Sequence, residues 1–215
     1  MNSSQRHFLL MQRLFACCVL LSVCTTLRAA EHQDQVLHTH VESANVEVDL
    51  FIPKESHPVR GLLVHAAHYQ VKTTGRWPTL CRELGFAHLV TKINLKLNNR
   101  PARLRDGMNA ALQRFAEQTG MEELTHVPRV GVGMSAGGMC IPMLIEEPEK
   151  LLTNAVSCSW VTDPEKIGPD RAAIPEMYVI GAVPDAFKML PAIDDHYVPA
   201  IKSGYPWALG LQHGC

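Results

Sequence analysis

The sequence lacks any large excess of charge of one sign. Its 215 residues include 20 Lys and Arg against 21 Asp and Glu, so the formal net charge is -1. No summed field therefore attracts a nucleic acid or an anionic membrane surface, and we expect neither as a partner. Charged residues make up 19% and hydrophobic residues 47% of the chain, which is the range of an ordinary globular protein with one sizeable core.

Apolar runs long enough to cross a bilayer are also missing, and the run near the N-terminus is too short to do so comfortably. It covers residues 14–24, follows Arg13, and leads through small residues into a polar stretch that begins at Glu31. This is the layout of a secretory signal peptide. We expect residues 1–30 to be a signal peptide, the mature protein to begin near Ala30 or Glu31, and the protein to be periplasmic or secreted. A buried core helix and an uncleaved anchor are the alternatives.

The cysteines and histidines show no spacing typical of a disulfide scaffold or a zinc site. Outside the predicted signal peptide the cysteines are Cys81, Cys140, Cys158 and Cys215, and their wide spacing favours buried free thiols. His38 and His40 alternate on a predicted strand and could face one ion, but nothing nearby supplies a third ligand. We interpret them as a polar strand face, and we expect neither a metal nor a cofactor.

Repeats, low-complexity tracts and linkers are absent between residues 31 and 215, which favours a single domain. Val46–Ile52 alternates apolar and polar residues, so it predicts a strand with one wet face near a sheet edge. Short apolar runs typical of a buried parallel sheet follow at Gly61–Val64, Ala87–Val90, Val130–Val132, Ala155–Cys158 and Met177–Ile180, and Tyr205–Gln212 is predicted as the last strand.

Helical patterns separate these predicted strands. They cover about Trp77 to Leu84, about Leu104 to Gln118 with Met108, Leu112 and Phe115 on one face, and a stretch that begins just after Ser135. The alternation predicts an α/β fold with a doubly wound, mostly parallel sheet and helices on both faces. In such sheets, binding sites form beyond the carboxyl ends of the strands.

The sequence Gly133-Met134-Ser135-Ala136-Gly137 directly follows a predicted strand and leads into a predicted helix. In that context the G-x-S-x-G pattern predicts a sharp turn that lifts a serine hydroxyl above the sheet. Glycines two residues on either side of the serine let neighbouring backbone approach without a Cβ clash. Ser135 is therefore the candidate nucleophile. The alternative is an ordinary glycine-rich turn between a strand and a helix.

From about residue 41 to residue 215 the chain resembles the α/β-hydrolase superfamily, in particular its dienelactone-hydrolase-like and esterase-like branches. The resemblance rests on the order of a strand, a candidate oxyanion loop, the G-x-S-x-G turn and a late acidic residue. It implies a serine hydrolase that cleaves a small-molecule carboxylic ester or related acyl bond through a covalent acyl-enzyme at Ser135.

The resemblance also implies an oxyanion hole made of two backbone amides. Family members often place His-Gly after the third strand, and here that strand ends in His65-Ala66-Ala67-His68, so an alanine stands in place of the glycine. We assign the first amide donor to Ala67 and the second to Ala136, the residue after the nucleophile. We interpret His65 and His68 as structural or surface residues.

Family members carry the acid of the catalytic triad in a Gly-x-x-Asp turn after a late strand. Gly181 to Asp185 fits this turn with one extra residue, so the resemblance assigns the acid to Asp185. The alternative for Asp185 is an exposed turn aspartate after a proline. Asp194 and Asp195 are the next candidates, and we expect them at the start of a helix, where negative charge suits the helix dipole.

The base of the triad is expected after the last strand, where His213 lies within reach of the serine. Family members commonly end this strand in a Gly-His turn and add a closing helix, which the chain lacks. Either His213 is the base, or the true histidine lay beyond a truncated end. His196 is a third choice. A non-catalytic protein with the same fold is therefore the competing function class, and the sequence carries no signal for an oligomeric state or a particular substrate.

Overall fold

The computed structural model describes residues 33–67, 69–92, 101–157, 162–181, 191 and 193–212. Within them, eight strands form one sheet. The strands are β1 (Gln35–Val41), β2 (Val46–Ile52), β3 (Gly61–Ala67), β4 (Phe86–Lys92), β5 (Arg129–Met134), β6 (Leu151–Ser157), β7 (Glu176–Gly181) and β8 (Trp207–Gln212). They lie in the order β1-β2-β4-β3-β5-β6-β7-β8. β2 pairs antiparallel with β1 and β4, and the other neighbours pair in parallel, as predicted.

The second strand corrects one expectation. β2 has the predicted bounds and lies next to the edge strand β1, but it has no continuous wet face. Asp49, expected on that face, is only 4% exposed. Its carboxylate accepts hydrogen bonds from the His38 ring at 2.6 Å and from the Val71 amide at 3.1 Å. A polar residue of an alternating strand can be buried when it has such partners, and periodicity alone does not reveal them.

Helices and short helical turns connect most of the strands. Among the described residues, the α-helices are α1 (Arg76–Leu84), α2 (Pro101–Thr119), α3 (Cys140–Leu144), α4 (Pro164–Ile167), α5 (Pro169–Ala172) and α6 (Val198–Lys202). The first two confirm the predicted helices, with α1 ending at Gly85 in the left-handed conformation. The predicted helix after Ser135 begins as a tight 3-10 turn, Ser135–Met139, and becomes α-helical only in α3.

The long helix α2 packs against the first strands of the sheet. Met108, Leu112 and Phe115 are completely buried, as their helical spacing predicted. Burial of such a side chain stabilises the fold by about 1.5–3 kcal/mol relative to leaving it exposed. Gly107 brings the helix backbone close to β2, because a Cβ there would lie 2.8 Å from the Cβ of Val46. This face of the sheet forms the main hydrophobic core.

The short helix α1 covers the opposite face. His65 lies between Val64 and Ala66, which belong to the main core, so its side chain points the other way. On that side the His65 ring meets the Trp77 ring edge-on, with 4.9 Å between the centroids. The Arg82 guanidinium lies 5.2 Å from the centre of the Phe51 ring. Helices therefore lie on both faces, which confirms the predicted doubly wound sheet.

A buried ionic network holds the start of β5. Arg129 is 2% exposed, and its guanidinium donates to Glu147 at 2.6 Å and to the side-chain oxygen of Asn109 at 3.0 Å. Burial raises the pKa of Glu147, but hydrogen bonds from Lys150, Asn109 and Arg129 outweigh this effect and lower the pKa to about 2. The network ties β5 to α2, and so fixes the strand that carries Ser135 at its other end.

The two described cysteines, Cys81 and Cys140, are buried free thiols, as expected. Burial raises the pKa of each thiol to about 12, so neither is a ready nucleophile. Cys158 and Cys215 lie outside the described residues.

The described residues from Asp34 onward group into one compact unit. The predicted signal peptide lies outside the described residues, so the division of the chain near residue 30 stays a prediction. None of the described helices combines the length and apolar character needed to cross a membrane.

Candidate active site

Ser135 stands where β5 ends and the 3-10 turn begins. Its φ of 51° lies in the left-handed region, which residues other than glycine rarely enter. Met134 just before it is still extended, with φ -133° and ψ 136°, so the chain changes direction abruptly at the serine. Ser135 is exposed. This is the sharp strand-to-turn geometry that the G-x-S-x-G pattern predicted.

Two glycines make the turn sterically possible. A Cβ on Gly133 would collide with the carbonyl of Gly137, and a Cβ on Gly137 would lie 2.6 Å from the carbonyl oxygen of Ala66. Both neighbours are backbone, which cannot move aside as the end of a side chain can. The turn that carries Ser135 therefore rests directly on the last residues of β3.

An apolar pocket of about 630 Å³ opens at this end of the sheet. Its described lining is His65, Ala66, Ala67, Tyr69, Arg76, Trp77, Val132, Gly133, Met134, Gly137, Ala155, Val156 and Val179. Most of these residues come from the carboxyl-terminal parts of β3, β5, β6 and β7 and from the start of α1, while Tyr69 follows β3 and Gly137 lies in the 3-10 turn after β5. The pocket therefore lies where binding sites of doubly wound sheets form.

A pair of buried histidines supports one wall of the pocket. Nδ1 of His65 and Nε2 of His88 lie 2.8 Å apart and share a hydrogen bond, and both rings are almost fully buried. Burial lowers the pKa of His65 to about 3, with a contribution from His88, and lowers the pKa of His88 to about 4. Both imidazoles are therefore neutral at pH 7, and this wall of the pocket carries no histidine charge.

Solved structures with a similar fold include esterases and an α/β-hydrolase enzyme. The chain matches a thermostable esterase (TM-score 0.57, 12% identity), with 86% of this chain and 56% of that chain covered. It also matches carboxyl esterase 2 from the mycorrhizal fungus Tuber melanosporum (TM-score 0.57, 13% identity, 86% and 77% covered). A third is an α/β-hydrolase enzyme from a Medee basin deep-sea metagenome library (TM-score 0.52, 12% identity, 85% and 83% covered). The chain has the α/β-hydrolase fold.

At such low sequence identities the likeness concerns the fold, and the chain spans just over half the length of the thermostable esterase. No protein-family model matches the chain. No curated protein matches it significantly by sequence. The chemistry of this α/β-hydrolase fold must therefore be argued from its own residues.

The α/β-hydrolase fold brings three of the predicted site residues to one place. Ala67 is the last residue of β3 and lines the pocket, while Ala136 directly follows Ser135 in the turn. Neither alanine takes a positive φ, and neither does Ala66, so the expected glycine is not needed for the backbone conformation here. The predicted acid Asp185 and the predicted base His213 lie outside the described residues, and so does His68.

The alternative candidates for the acid and the base, Asp194, Asp195 and His196, lie in a helical turn, Ile193–Tyr197, that leads into α6. Asp194 and Asp195 are exposed in its first turn, as expected for a helix start. His196 is half-buried, and its Nδ1 lies 3.9 Å from the carboxylate of Asp163. None of the three lines the described part of the pocket.

His38 and His40 are exposed on β1, in agreement with a polar strand face. His38 faces Asp49 across the β1–β2 pair and forms its 2.6 Å hydrogen bond there. Its ring therefore has a structural partner in this α/β-hydrolase fold.

Sequence analysis missed His88, Arg76 and Trp77 as residues of the site. His88 meets His65 because β3 and β4 pair in parallel with Leu63 opposite His88, so the two histidines lie diagonally on one face. The register between β3 and β4 cannot be predicted from the sequence of either strand alone. Arg76 and Trp77 open α1, whereas the sequence predicted a helix only from about Trp77 and assigned no role to Arg76. The sequence offered one signal that Arg76 and Trp77 could belong to the site, namely their position shortly after the predicted oxyanion loop.

We expect Gly137→Ala to destabilise the protein, because the new Cβ would press on the backbone of Ala66. Overpacking of this kind typically costs about 1–3 kcal/mol in the free energy of unfolding. Gly210→Ala is the matched control, since its Cβ would make an ordinary 3.4 Å contact with the mobile end of Met177. Urea unfolding of both variants measures the difference. Equal effects of the two substitutions would show that the turn does not rest on β3.

The histidine pair predicts a loss of stability on acidification. The folded-state pKa values of about 3 and about 4 lie below the ordinary 6.5, so between pH 6.5 and 4 the unfolded chain binds protons that the folded chain does not. The free energy of unfolding should fall by up to about 1.4 kcal/mol per pH unit for each histidine in this window.

His88→Gln tests this, because its amide can still donate to His65 while it no longer titrates. We expect the fall in unfolding free energy between pH 7 and 4.5 to become shallower. His40→Gln, a change of an exposed histidine on β1, controls for the removal of any histidine. Urea unfolding across this pH range gives both slopes. A slope that His88→Gln leaves at the native value would contradict the neutral buried pair.

Proposed function

We propose that this protein is an exported serine hydrolase that cleaves a carboxylic ester or related acyl bond through an acyl-enzyme at Ser135. One observation carries the proposal: Ser135 has a left-handed backbone at the end of β5, on a turn that borders an apolar pocket. Such a position exposes a hydroxyl at the place where this fold binds small molecules. The solved structures with a similar fold include esterases, which supports the same reaction class.

In the proposed reaction, the Ser135 oxygen attacks the acyl carbon and its proton passes to His213. The carbonyl oxygen becomes an oxyanion, which the backbone amides of Ala67 and Ala136 would stabilise. His213 then gives the proton to the departing alcohol, and Asp185 orients the imidazole. Water, activated by the same histidine, attacks the acyl-enzyme, releases the carboxylic acid and returns the proton to Ser135.

The pocket suits this chemistry because most of its described lining is apolar. The chain of an acyl group can pack there against side chains such as Val132, Val156 and Val179. A poorly hydrated site also strengthens the interaction between backbone amides and a developing negative charge. The neutral histidine pair adds no competing charge on the β3 side.

Ser135 should react covalently with a fluorophosphonate probe, and Ser135→Ala should abolish the labelling. Hydrolysis of p-nitrophenyl acetate should fall on the order of 10⁴-fold or more, because the nucleophile of the triad is lost. Ser203→Ala changes an exposed serine outside the pocket and serves as the control. Peptide mapping of the labelled protein identifies the modified residue. Labelling that survives Ser135→Ala would show that another residue is the nucleophile.

The same assay separates the catalytic proposal from a non-catalytic protein with this fold. If Asp185 and His213 complete the triad, Asp185→Asn and His213→Ala should each lower turnover on a similar scale without altering the fold. If the unchanged protein is already near background and His213→Ala has no effect, the proposed base is wrong and this protein is not an active esterase. A strong loss with His196→Ala alone would assign the base to that residue.

Export is proposed from the sequence of residues 1–30. Expression with its own N-terminus in a bacterial host should give a protein in the periplasm or medium that begins near Ala30 or Glu31, because the segment has the layout of a signal peptide. Intact-mass analysis of that fraction measures the cleavage site. Recovery of the protein only in the cytoplasm with Met1 to Arg28 still attached would contradict export.

A further inference from the structure

One charged side chain stands among the described residues that line the pocket, and it is a cation. Among the described residues that line it, Arg76 is the only one with a charged side chain, and no Asp or Glu belongs to this lining. The other described polar side chains are those of His65 and Tyr69. Burial lowers the pKa of His65 to about 3 and raises the pKa of Tyr69, so both are neutral at pH 7. The described lining therefore carries a net charge of one positive unit.

Arg76 has no ion pair with a described carboxylate, in contrast to the other arginine of α1. Arg82 donates to Asp34 at 2.6 Å and to the backbone oxygen of Thr73 at 3.1 Å. Arg76 is exposed and opens the helix beside Trp77, which also lines the pocket. Its five N–H donors are therefore not engaged by a described acidic side chain, and the residue itself belongs to the lining of an apolar cleft.

Guanidinium groups bind carboxylates through two parallel hydrogen bonds, and they are more weakly hydrated than ammonium groups. The remaining wall, with Val132, Met134, Val156 and Val179, offers contacts to a hydrocarbon chain. A ligand that satisfies both parts has an apolar segment and a terminal negative charge. A fully neutral ester offers no carboxylate, so the guanidinium would stay hydrated, whereas a cationic ester would be repelled.

We propose that the pocket selects esters that carry a carboxylate at the end of an apolar chain, and that Arg76 determines this selectivity. The proposal rests on the proposed ester hydrolysis and names its substrate class. Arg76 takes no part in bond making or breaking, since it recognises a charge that is present in substrate and transition state alike. Its effect therefore belongs to kcat/KM, mainly through KM.

The test compares two esters of equal chain length, p-nitrophenyl hexanoate and the mono-p-nitrophenyl ester of adipic acid. Arg76→Gln should lower kcat/KM for the adipate ester about 10-fold and leave the hexanoate ester within about 2-fold, which is the scale of one charge-assisted contact at a partly exposed site. Arg76→Lys should retain part of the preference. Raising the salt concentration should weaken the preference of the native protein, because exposed charges are screened.

Arg60→Gln is the matched control. Arg60 is also exposed, but it precedes β3 at the opposite end of the strand from Ala67 and is not part of the described pocket lining. It changes the net charge by the same amount as Arg76→Gln. The ratio of the two kcat/KM values should stay within about 2-fold of the native ratio in this control. An equal change in both variants would mean that only the overall charge of the protein matters, and would overturn the proposal.

A binding measurement separates this inference from the proposed function. Saturation-transfer NMR titrations with hexanoate and hexanamide need no turnover, and Arg76→Gln should weaken hexanoate binding about 5-fold or more while hexanamide binding stays the same. If both esters are hydrolysed but neither the ester ratio nor hexanoate binding responds to Arg76→Gln, the inference fails and the hydrolase stands. If neither ester is hydrolysed, the proposed function fails, and the hexanoate titration alone decides whether Arg76 recognises a carboxylate.

Discussion

The contact between the Gly137 backbone and the carbonyl of Ala66 is the constraint on which the site depends. It places the turn that carries Ser135 against the end of β3, so that the candidate nucleophile and the candidate oxyanion loop are in direct contact. The left-handed φ of Ser135 accompanies this packing, which is possible only because neither Gly133 nor Gly137 has a Cβ. Local strain of about 1–3 kcal/mol persists only where the surroundings hold it in this way.

The described surroundings of this turn carry little charge, since Arg76 is the one charged side chain among the described residues that line the pocket. The Arg129 network anchors the start of β5, and its charges lie at the end of the strand remote from Ser135. On the pocket side, burial keeps His65 and His88 neutral. In the proposed reaction, a developing oxyanion would thus meet backbone dipoles in a mostly apolar cleft, where such dipoles stabilise charge more effectively than in water.

The sequence predicted most elements well because their signals are local. Short apolar runs in the sequence predicted the buried strands. The helical spacing of Met108, Leu112 and Phe115 predicted α2. Prediction was wrong where partners far along the chain decide the outcome. Asp49 was expected in water, but the His38 ring and the Val71 amide satisfy its carboxylate and allow its burial. The helix expected directly after Ser135 begins as a 3-10 turn, since the chain must first pass close to β3.

By itself, the sequence determined the type of fold and the candidate nucleophile, because alternation of apolar runs with helical patterns and a G-x-S-x-G turn are properties of neighbouring residues. The tertiary structure alone decided what surrounds that serine. The register of β3 and β4 joined His65 to His88, and the packing of α1 set Arg76 and Trp77 on the pocket. These contacts depend on strand order and helix placement, which arise from the packing of the whole core and are not encoded in any single segment.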